Sequence, residues 1–267
     1  MVNRNPLRIG LANNLTPGAT IHATTFLRAI ELGQQQLGEA AKFAFISAND
    51  EADPGAARRA AQTLLAEGVD LVLGHYASGA AAAAAPIYRR QGVPLILTAT
   101  TADHLTDDHD NLFRLCGTDS TLAALIATDL VPPGRTARLW IGHDRSTHGT
   151  EFARCLRAEV AGSTRVRLVD HIAPAEILFF AGKLAASVDF VSTMRGRSCR
   201  QLIALADDAA VADLPARLPA GEIGVIVYGF APPHWIEGAA SICRSYHESW
   251  GEDPGVYFIE TYAAMQI

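Results

Sequence analysis

Two short apolar runs, separated by the length of one helix, constrain this chain more than any other feature. The runs Asp70–Leu73 and Pro94–Leu97 show no polar alternation, which is typical of strands covered on both faces. The segment between them has room for a single crossover helix, so the two strands are predicted to be parallel neighbours. The turns that follow both strands then lie at the carboxyl edge of the sheet, where open α/β sheets bind ligands.

Those two turns carry the hydroxyl groups of a predicted binding site. The first presents Ser78 at the start of the predicted helix, and the second presents Thr98, Thr100 and Thr101. Hydroxyl groups, together with the N–H groups of a helix start, suit a small anion such as a carboxylate. The alternative is ordinary turn chemistry, because Ser and Thr side chains cap helices in many proteins.

Strand and helix signals alternate along the rest of the chain. The strands include a predicted one over 42–47, and Pro132–Gly134 separates two strand–helix series. We therefore predict an α/β fold of two lobes, each a doubly wound, mostly parallel sheet with helices on both faces. The predicted joins assign 1–117 with 232–267 to the first lobe and 118–231 to the second. The helix near the end of the second series is predicted to run from Trp235 to Trp250.

Composition and charge exclude several classes of protein. The 267 residues carry a net charge of −6, which argues against nucleic acid or an anionic membrane as the partner. No apolar run approaches the length of a membrane span. The start shows no signal peptide, so we expect either a cytoplasmic protein or the mature form of a periplasmic one. The cysteines have no CxxC spacing and are expected to be scattered core thiols: Cys116, Cys155, Cys199 and Cys243.

Neither metal nor cofactor chemistry is indicated. The pairs His143 with His148 and His104 with His109 are each five residues apart, so neither pair shares a helical face. Dinucleotide, P-loop and nucleophile-elbow motifs are absent from the sequence. A nucleophilic site built from Ser78, His75 and an Asp is the one enzymatic alternative that the sequence leaves. We predict no enzyme, no cofactor and no metal.

Seven segments in a fixed order carry a family resemblance: NDEADPGAARRAAQTLLAEGVDLVLGHYASG, GVPLILTATTADHLT, NLFRLCGTDS, RLWIGHDRSTHGTEFA, FFAG, LIALADDA and PGVYFIETYAAMQ. In that order and spacing they resemble the type I periplasmic binding proteins of the leucine/isoleucine/valine-binding kind. Those proteins are the substrate-binding components of ABC transporters. The resemblance covers nearly the whole chain.

The resemblance implies roles for individual residues. Ser78 and Thr101 would bind the α-carboxylate of an amino acid, and Thr100 lies in the same turn. The carbonyl of Ala99 and the hydroxyl of Thr101 would accept hydrogen bonds from the α-ammonium group. Asp207 matches the acidic partner of that ammonium, where a Glu is common in the family. The alternative for Asp207, and for Asp208 beside it, is to cap the following helix.

Other positions depart from the family's aromatic pattern. His148 and Lys183 lie where the family often places aromatic rings, and both suit a ligand with a second anionic or polar group. For both, a solvated surface side chain is the alternative. Tyr76 either lines the cleft or packs beneath the adjacent helix.

Two departures concern the fold itself. Only Ala173–Pro174 separates the predicted strands 166–172 and 175–182, which is too short for a parallel crossover, so a crossover helix is expected to be missing. The chain also ends within a helix predicted to begin near Val256, where the family continues. The resemblance then implies unpaired sheet edges and exposed apolar surface.

The predicted function is non-catalytic binding of an amino acid or related small carboxylate between two lobes that close on a hinge. The expected partners are the ligand and the membrane subunits of an ABC-type transporter. One alternative is a cytoplasmic sensor of the same fold that controls a regulatory partner. Another is a shortened member completed by a partner chain, including a homodimer.

Overall fold

The computed structural model describes residues 6–16, 20–38, 43–107, 110–219 and 224–267. The chain divides into two compact units, residues 1–116 with 231–267 and residues 117–230. In the described ranges, no helix is long and apolar enough to cross a membrane.

The elements follow one another as alternating strands and helices. In chain order the strands are β1 (Leu7–Asn13), β2 (Phe43–Asn49), β3 (Leu71–Gly74), β4 (Leu95–Leu97), β5 (Leu112–Arg114), β6 (Ala137–His143), β7 (Val166–Leu168), β8 (Ile177–Ala181), β9 (Leu202–Leu205) and β10 (Val225–Val227). The helices are α1 (Ile21–Leu37), α2 (Pro54–Ala66), α3 (Ser78–Arg90), α4 (Asp119–Asp129), α5 (Thr147–Ala161), α6 (Leu184–Gly196), α7 (Leu214–Arg217), α8 (Ala240–Trp250) and α9 (Phe258–Ala264).

The first unit contains a parallel sheet in the order β2-β1-β3-β4-β5, with helices on both faces. Consecutive residues of a strand point to opposite faces. Accordingly, Val72 packs with Leu64 and Tyr88 of α2 and α3, whereas Leu73 packs with Phe26 of α1. The predicted parallel pairing of β3 with β4 is confirmed.

The second unit repeats this topology. Its parallel sheet has the order β10-β9-β8-β6-β7, which is the same strand permutation when each unit is counted from its own first strand. Leu178 packs with Val191 of α6, and the next residue, Phe179, stacks on Phe152 of α5. The predicted α/β class, with a doubly wound parallel sheet in each unit, is therefore confirmed. In both sheets the strand order reverses beside the first strand, β1 or β6, and such switch points bind ligands in open α/β sheets.

The connection from β7 to β8 corrects the prediction that it is too short for a parallel crossover. Strand β7 ends at Leu168, four residues earlier than predicted, which leaves the eight residues 169–176 as a connection. Leu168 and Ile177 both pair with Leu139 of β6, from opposite sides. The chain therefore has only to pass β6 sideways, about 10 Å at the usual strand spacing. Eight extended residues reach about 26 Å, so no helix is required.

The predicted helix from Trp235 to Trp250 is shorter than expected. Residues 233–235 form a single 3₁₀ turn, and α8 begins at Ala240. Gly238 has a φ of +80°, a left-handed conformation that ends regular helix and favours glycine.

The edge strand β5 of the first sheet carries an exposed apolar side chain. Phe113 of this strand is 54% exposed.

Candidate ligand-binding site

In the first unit, Ser78 lies at the start of a helix that no side chain caps. Ser78 is the first residue of α3, directly after the turn that follows β3, and is buried. The N-cap position is Ala77, which has no polar group to accept from the first-turn N–H groups. A buried hydroxyl thus lies beside helix-start amides, and this is an arrangement that suits an anion.

The turn after β4 lies on the neighbouring strand and is buried throughout. Thr98, Ala99, Thr100 and Thr101 are each at most 7% exposed. The hydroxyl of Thr100 donates to the carbonyl oxygen of His75, and so ties the turn after β4 to the turn after β3. The sequence had placed Thr100 with the ligand-binding residues, whereas its hydroxyl is used within the fold. Within the described part of the chain, no hydrogen bond involves the side chain of Ser78 or Thr101.

Tyr76 packs inside the first unit. Its hydroxyl forms a hydrogen bond with Thr261 of α9, and its ring meets the ring of Phe26 edge-on with centroids 5.2 Å apart. Burial raises the pKa of the Tyr76 phenol, partly offset by the hydroxyls of Thr261 and Thr98, so the group is neutral at physiological pH. Of the two interpretations of Tyr76, these contacts favour packing over lining a ligand site.

A buried polar chain that the sequence analysis did not anticipate supports the Ser78 turn. The Nδ1 of His75 lies 2.8 Å from Oδ2 of Asp50, and its Nε2 lies 3.2 Å from the Tyr88 hydroxyl. Both ring nitrogens are therefore engaged, so His75 is not placed to act as a base for Ser78. The enzymatic alternative built on Ser78 and His75 was wrong. The signal in the sequence for these hydrogen-bonded side chains was Tyr88, an aromatic residue on the buried face of an otherwise Ala-rich helix.

In the second unit, His148 and Asp207 form a buried ion pair. His148 lies in the first turn of α5, after β6, and Asp207 follows β9. Their Nε2 and Oδ1 atoms are 3.3 Å apart, and the two side chains are 14% and 4% exposed. Burial by itself lowers the pKa of His148, but Asp207, with smaller contributions from Asp119 and Asp208, outweighs it and raises the pKa to about 10. The imidazole is therefore charged at neutral pH.

The carboxylate of Asp208 caps a helix that precedes it in the chain. The Oδ2 of Asp208 accepts a hydrogen bond from the N–H of Leu184 at the start of α6, at 2.8 Å. Asp207 instead faces His148. The alternative from the sequence was that either carboxylate caps the helix that follows it, whereas Asp208 contacts the start of α6, which precedes it in the chain.

Lys183 occupies the N-cap position of α6, directly after β8. Its N–H donates to Oδ2 of Asp144 at 2.8 Å, and its side chain is exposed. Asp144 also accepts from the N–H and hydroxyl of Ser146, and these bonds lower its pKa despite partial burial. Because β6, β8 and β9 are consecutive in the sheet, His148, Lys183 and Asp207 follow three neighbouring strands at one edge.

The sequence analysis missed Asp119 and Asp144 at this edge. Asp119, in the first turn of α4, is buried and contributes to the raised pKa of His148. Its signal in the sequence was the GTDS segment, which the sequence analysis used only for the family resemblance. Among the described residues, no group of three or more His, Cys, Asp or Glu side chains is arranged to hold a metal ion. Lys42 and His109, which entered the sequence predictions, lie outside the described residues.

Comparisons of sequence identify a family. The sequence profile of the periplasmic binding proteins matches residues 6–170. The Leu/Ile/Val-binding protein of Citrobacter freundii is 30% identical over 157 residues, which are 58% of this chain and 40% of that protein. The Leu/Ile/Val-binding protein of Escherichia coli K12 is 27% identical over 157 residues, again 58% of this chain and 40% of that protein. The matched part of the chain thus spans 40% of the length of these curated relatives.

Comparisons of structure cover nearly the whole chain. A leucine binding protein from Thermotoga maritima aligns with a TM-score of 0.87 and 17% identity, over 97% of this chain and 81% of its own. A branched-chain amino acid transporter substrate binding protein from Streptococcus pneumoniae, in complex with isoleucine, aligns with a TM-score of 0.83 and 18% identity. That alignment covers 98% of this chain and 82% of the other. A solute binding protein from R. palustris, in complex with benzoate, aligns with a TM-score of 0.81 and 16% identity. That alignment covers 98% of this chain and 79% of the other. At these identities the likeness is one of fold.

Proposed function

This chain belongs to the periplasmic binding protein family, and on that premise we propose that it binds an amino acid or a related small carboxylate. The family consists of binding proteins and not of enzymes. The observation that carries the proposal is the start of α3, where buried Ser78 lies beside helix amides that no side chain caps. Ser78, Thr101 and those amides would bind the carboxylate.

The ligands of two similar structures support a carboxylate as the recognised group. The Streptococcus protein holds isoleucine and the R. palustris protein holds benzoate, and these molecules share only the carboxylate as a charged group. The tie between the Thr100 hydroxyl and His75 supports the same role, because it holds the two turns that carry Ser78 and Thr101 together. A preorganised pair of turns lowers the entropic cost of binding.

The second unit would recognise the remainder of the ligand. Asp207 would accept hydrogen bonds from the ammonium group of an amino acid, with the carbonyl of Ala99 and the hydroxyl of Thr101 as further acceptors. His148 already lies 3.3 Å from Asp207 and balances its charge. We propose that the units close around the ligand by a hinge motion.

The biological role that we propose is delivery of the ligand to the membrane subunits of an ABC-type transporter. It rests on the relatives, which include Leu/Ile/Val-binding proteins and a transporter substrate binding protein. An exported form would act in the periplasm. Homodimer formation and a regulatory partner stay predictions from the sequence.

Thermal unfolding in the presence of a ligand panel tests the proposal. The panel contains amino acids, benzoate and small aliphatic carboxylates, each at increasing concentration. A ligand at 100 times its Kd adds about 2.7 kcal/mol to the free energy of unfolding, which is a clear shift in Tm. We expect at least one carboxylate to stabilise the protein, and the double variant Ser78→Ala/Thr101→Ala to lose that effect.

A matched double variant controls for general damage. Ser241 and Ser249 are exposed on α8 of the same unit, so Ser241→Ala/Ser249→Ala removes two hydroxyls away from the site. It should keep the ligand-induced shift. If the Ser78→Ala/Thr101→Ala protein binds the ligand as tightly as the unmodified chain, the proposed site is wrong.

A further inference from the structure

Arg114 holds the backbone of the turn that follows β4. It is the last residue of β5 and pairs with Leu97, the last residue of β4, so it lies at the carboxyl edge of the sheet where this turn begins. Its Nη1 donates to the carbonyl oxygen of Thr100 at 2.9 Å, and its Nη2 donates to those of Ala102 and Asp103 at 2.6 and 3.3 Å. One guanidinium group thus binds three carbonyls of the same turn.

The carbonyl of Thr100 depends on this guanidinium. In the described ranges no backbone N–H donates to it, and its other contact is the Cys116 thiol at 3.4 Å, which is a weak donor. A buried carbonyl that loses its partner is costly, so Arg114 stabilises the conformation of the turn. Because a guanidinium presents its N–H groups in a fixed fork, it also fixes the spacing between the carbonyls of Thr100 and Ala102.

The bond from Arg114 sets the direction of the N–H of Thr101. The peptide bond between Thr100 and Thr101 is trans, so its C=O and N–H groups point in opposite directions. Since the carbonyl of Thr100 faces the guanidinium, the N–H of Thr101 faces away from it. Among the residues that the structure describes, neither this N–H nor the hydroxyl of Thr101 has a hydrogen-bond partner, although Thr101 is only 2% exposed. Two polar groups of one buried residue are thus available to a ligand.

We propose that Arg114 is a positioning residue for carboxylate binding, which holds the N–H and the hydroxyl of Thr101 in the orientation that binds the carboxylate and does not itself touch the ligand. This inference rests on the proposed function, since that function assigns the carboxylate to Ser78 and Thr101. All of these residues belong to the first unit. A turn that is held in its binding conformation lowers the entropic cost of binding.

Calorimetric titration of Arg114→Met tests the inference, with L-leucine, L-isoleucine and benzoate as the probes. Met retains a long, unbranched side chain but donates no hydrogen bond, so three carbonyls of the turn lose a partner. For each probe that binds the unmodified chain, we expect the Kd to rise roughly tenfold, as the loss of a preorganised turn predicts. An unchanged Kd in the folded variant overturns the inference.

Asn111→Ala is the matched control. Asn111 lies directly before β5, and its Nδ2 donates at 2.9 Å to the carbonyl of Val93, which precedes β4. It therefore holds a carbonyl beside the same pair of strands, but at the opposite, amino edge of the sheet. Asn111→Ala should lower the Tm and leave the Kd unchanged. If it weakens binding as much as Arg114→Met does, the loss reflects general destabilisation and the inference is wrong.

A double-mutant cycle with Thr101→Val adds a readout that a merely structural role would not move. Because Arg114 acts through Thr101, the two losses of affinity should not multiply, and the double variant should bind more tightly than their product predicts. Losses that multiply fully overturn the inference. If Arg114→Met does not fold, Arg114→Lys replaces it. Its single ammonium nitrogen cannot reproduce the fork, so its Kd should also rise, and an unchanged Kd again overturns the inference.

The remaining outcomes separate this inference from the proposed function. If Ser78→Ala/Thr101→Ala abolishes binding of a probe and Arg114→Met leaves it intact, the proposed function stands and the positioning role is wrong. If Arg114→Met weakens binding and Ser78→Ala/Thr101→Ala does not, the carboxylate binds elsewhere and both are wrong. If no probe binds, both are contradicted.

Discussion

The imidazole Nε2 of His148 lies 3.3 Å from the Oδ1 of Asp207, and both side chains are largely buried in the second unit. The two residues are 59 positions apart and follow different strands, β6 and β9. Their pairing keeps the imidazole charged and balances a buried carboxylate. The neighbouring carboxylate, Asp208, accepts from the N–H of Leu184 at the start of α6.

His148→Gln should destabilise the protein in a pH-dependent way. The pKa of His148 is raised to about 10, above the ordinary value of about 6.5 in the unfolded chain, so the pair's contribution to stability is full below pH 6.5 and is lost as the pH rises through 10. We expect the variant to lose roughly 3 kcal/mol at pH 6, because Asp207 is then buried without its partner, and to approach the unmodified protein near pH 10. Urea denaturation across this range measures the difference.

His247→Gln is the matched control for that experiment. His247 also pairs with an aspartate, Asp253, at 3.1 Å, but on the surface. Its loss should change the free energy of unfolding by less than about 1 kcal/mol. A loss in His148→Gln that stays constant from pH 6 to pH 10 would contradict the charged pair.

Thr100→Val should mainly lower stability, whereas Thr101→Val should mainly weaken ligand binding. The Thr100 hydroxyl donates to the His75 carbonyl, so Thr100→Val leaves a buried acceptor with one bond fewer and should lower the free energy of unfolding by about 1 to 3 kcal/mol. Thr101→Val should lower stability less and weaken ligand binding more. Chemical denaturation and calorimetric titration of both variants measure the two quantities, and equal loss of stability in both would refute the division of roles.

Asp208→Ala should lower stability by about 1 kcal/mol, because it removes the acceptor for Leu184 N at the start of α6. Asp208→Asn keeps an oxygen acceptor and should retain most of that stability. The midpoint of urea denaturation distinguishes the two variants. If Asp208→Asn is as destabilised as Asp208→Ala, the contribution is not one of capping.

Gly74→Ala should destabilise the first unit strongly. Gly74 ends β3 with a φ of +130°, and a Cβ there would overlap the backbone carbonyl oxygen of Ala12. Gly68 also has a positive φ, +68°, but a Cβ there meets no atom within 4 Å. We expect Gly68→Ala to cost about 1 to 2 kcal/mol and Gly74→Ala clearly more, measured by thermal unfolding. Similar losses in both variants would argue against the close approach of β3 to β1.

Local signals in the sequence predicted most elements of the fold. Asp53, directly before Pro54, caps α2, and Ser146 caps α5. These features depend on residues within one turn of each other, so the chain encodes them locally. The predicted end of β7 was wrong because pairing with β6, and not hydrophobicity, determines where that strand stops.

The candidate site was partly predictable for the same reason. Ser78 and Thr101 follow neighbouring parallel strands, and the apolar runs before them were sufficient to place both at one edge of a sheet. The use of the Thr100 hydroxyl within the fold was not predictable, because its partner, the His75 carbonyl, belongs to another strand's turn.

The sequence by itself determined the alternation of strands and helices, the α/β class and the residues that follow each strand, since hydrophobic runs and helix caps are local properties. Only the tertiary structure decided that His148 pairs with Asp207 and that Asp208 caps α6. Those relationships join residues 24 to 59 positions apart. They depend on strand order and register, which arise from packing of the whole unit and not from any single segment.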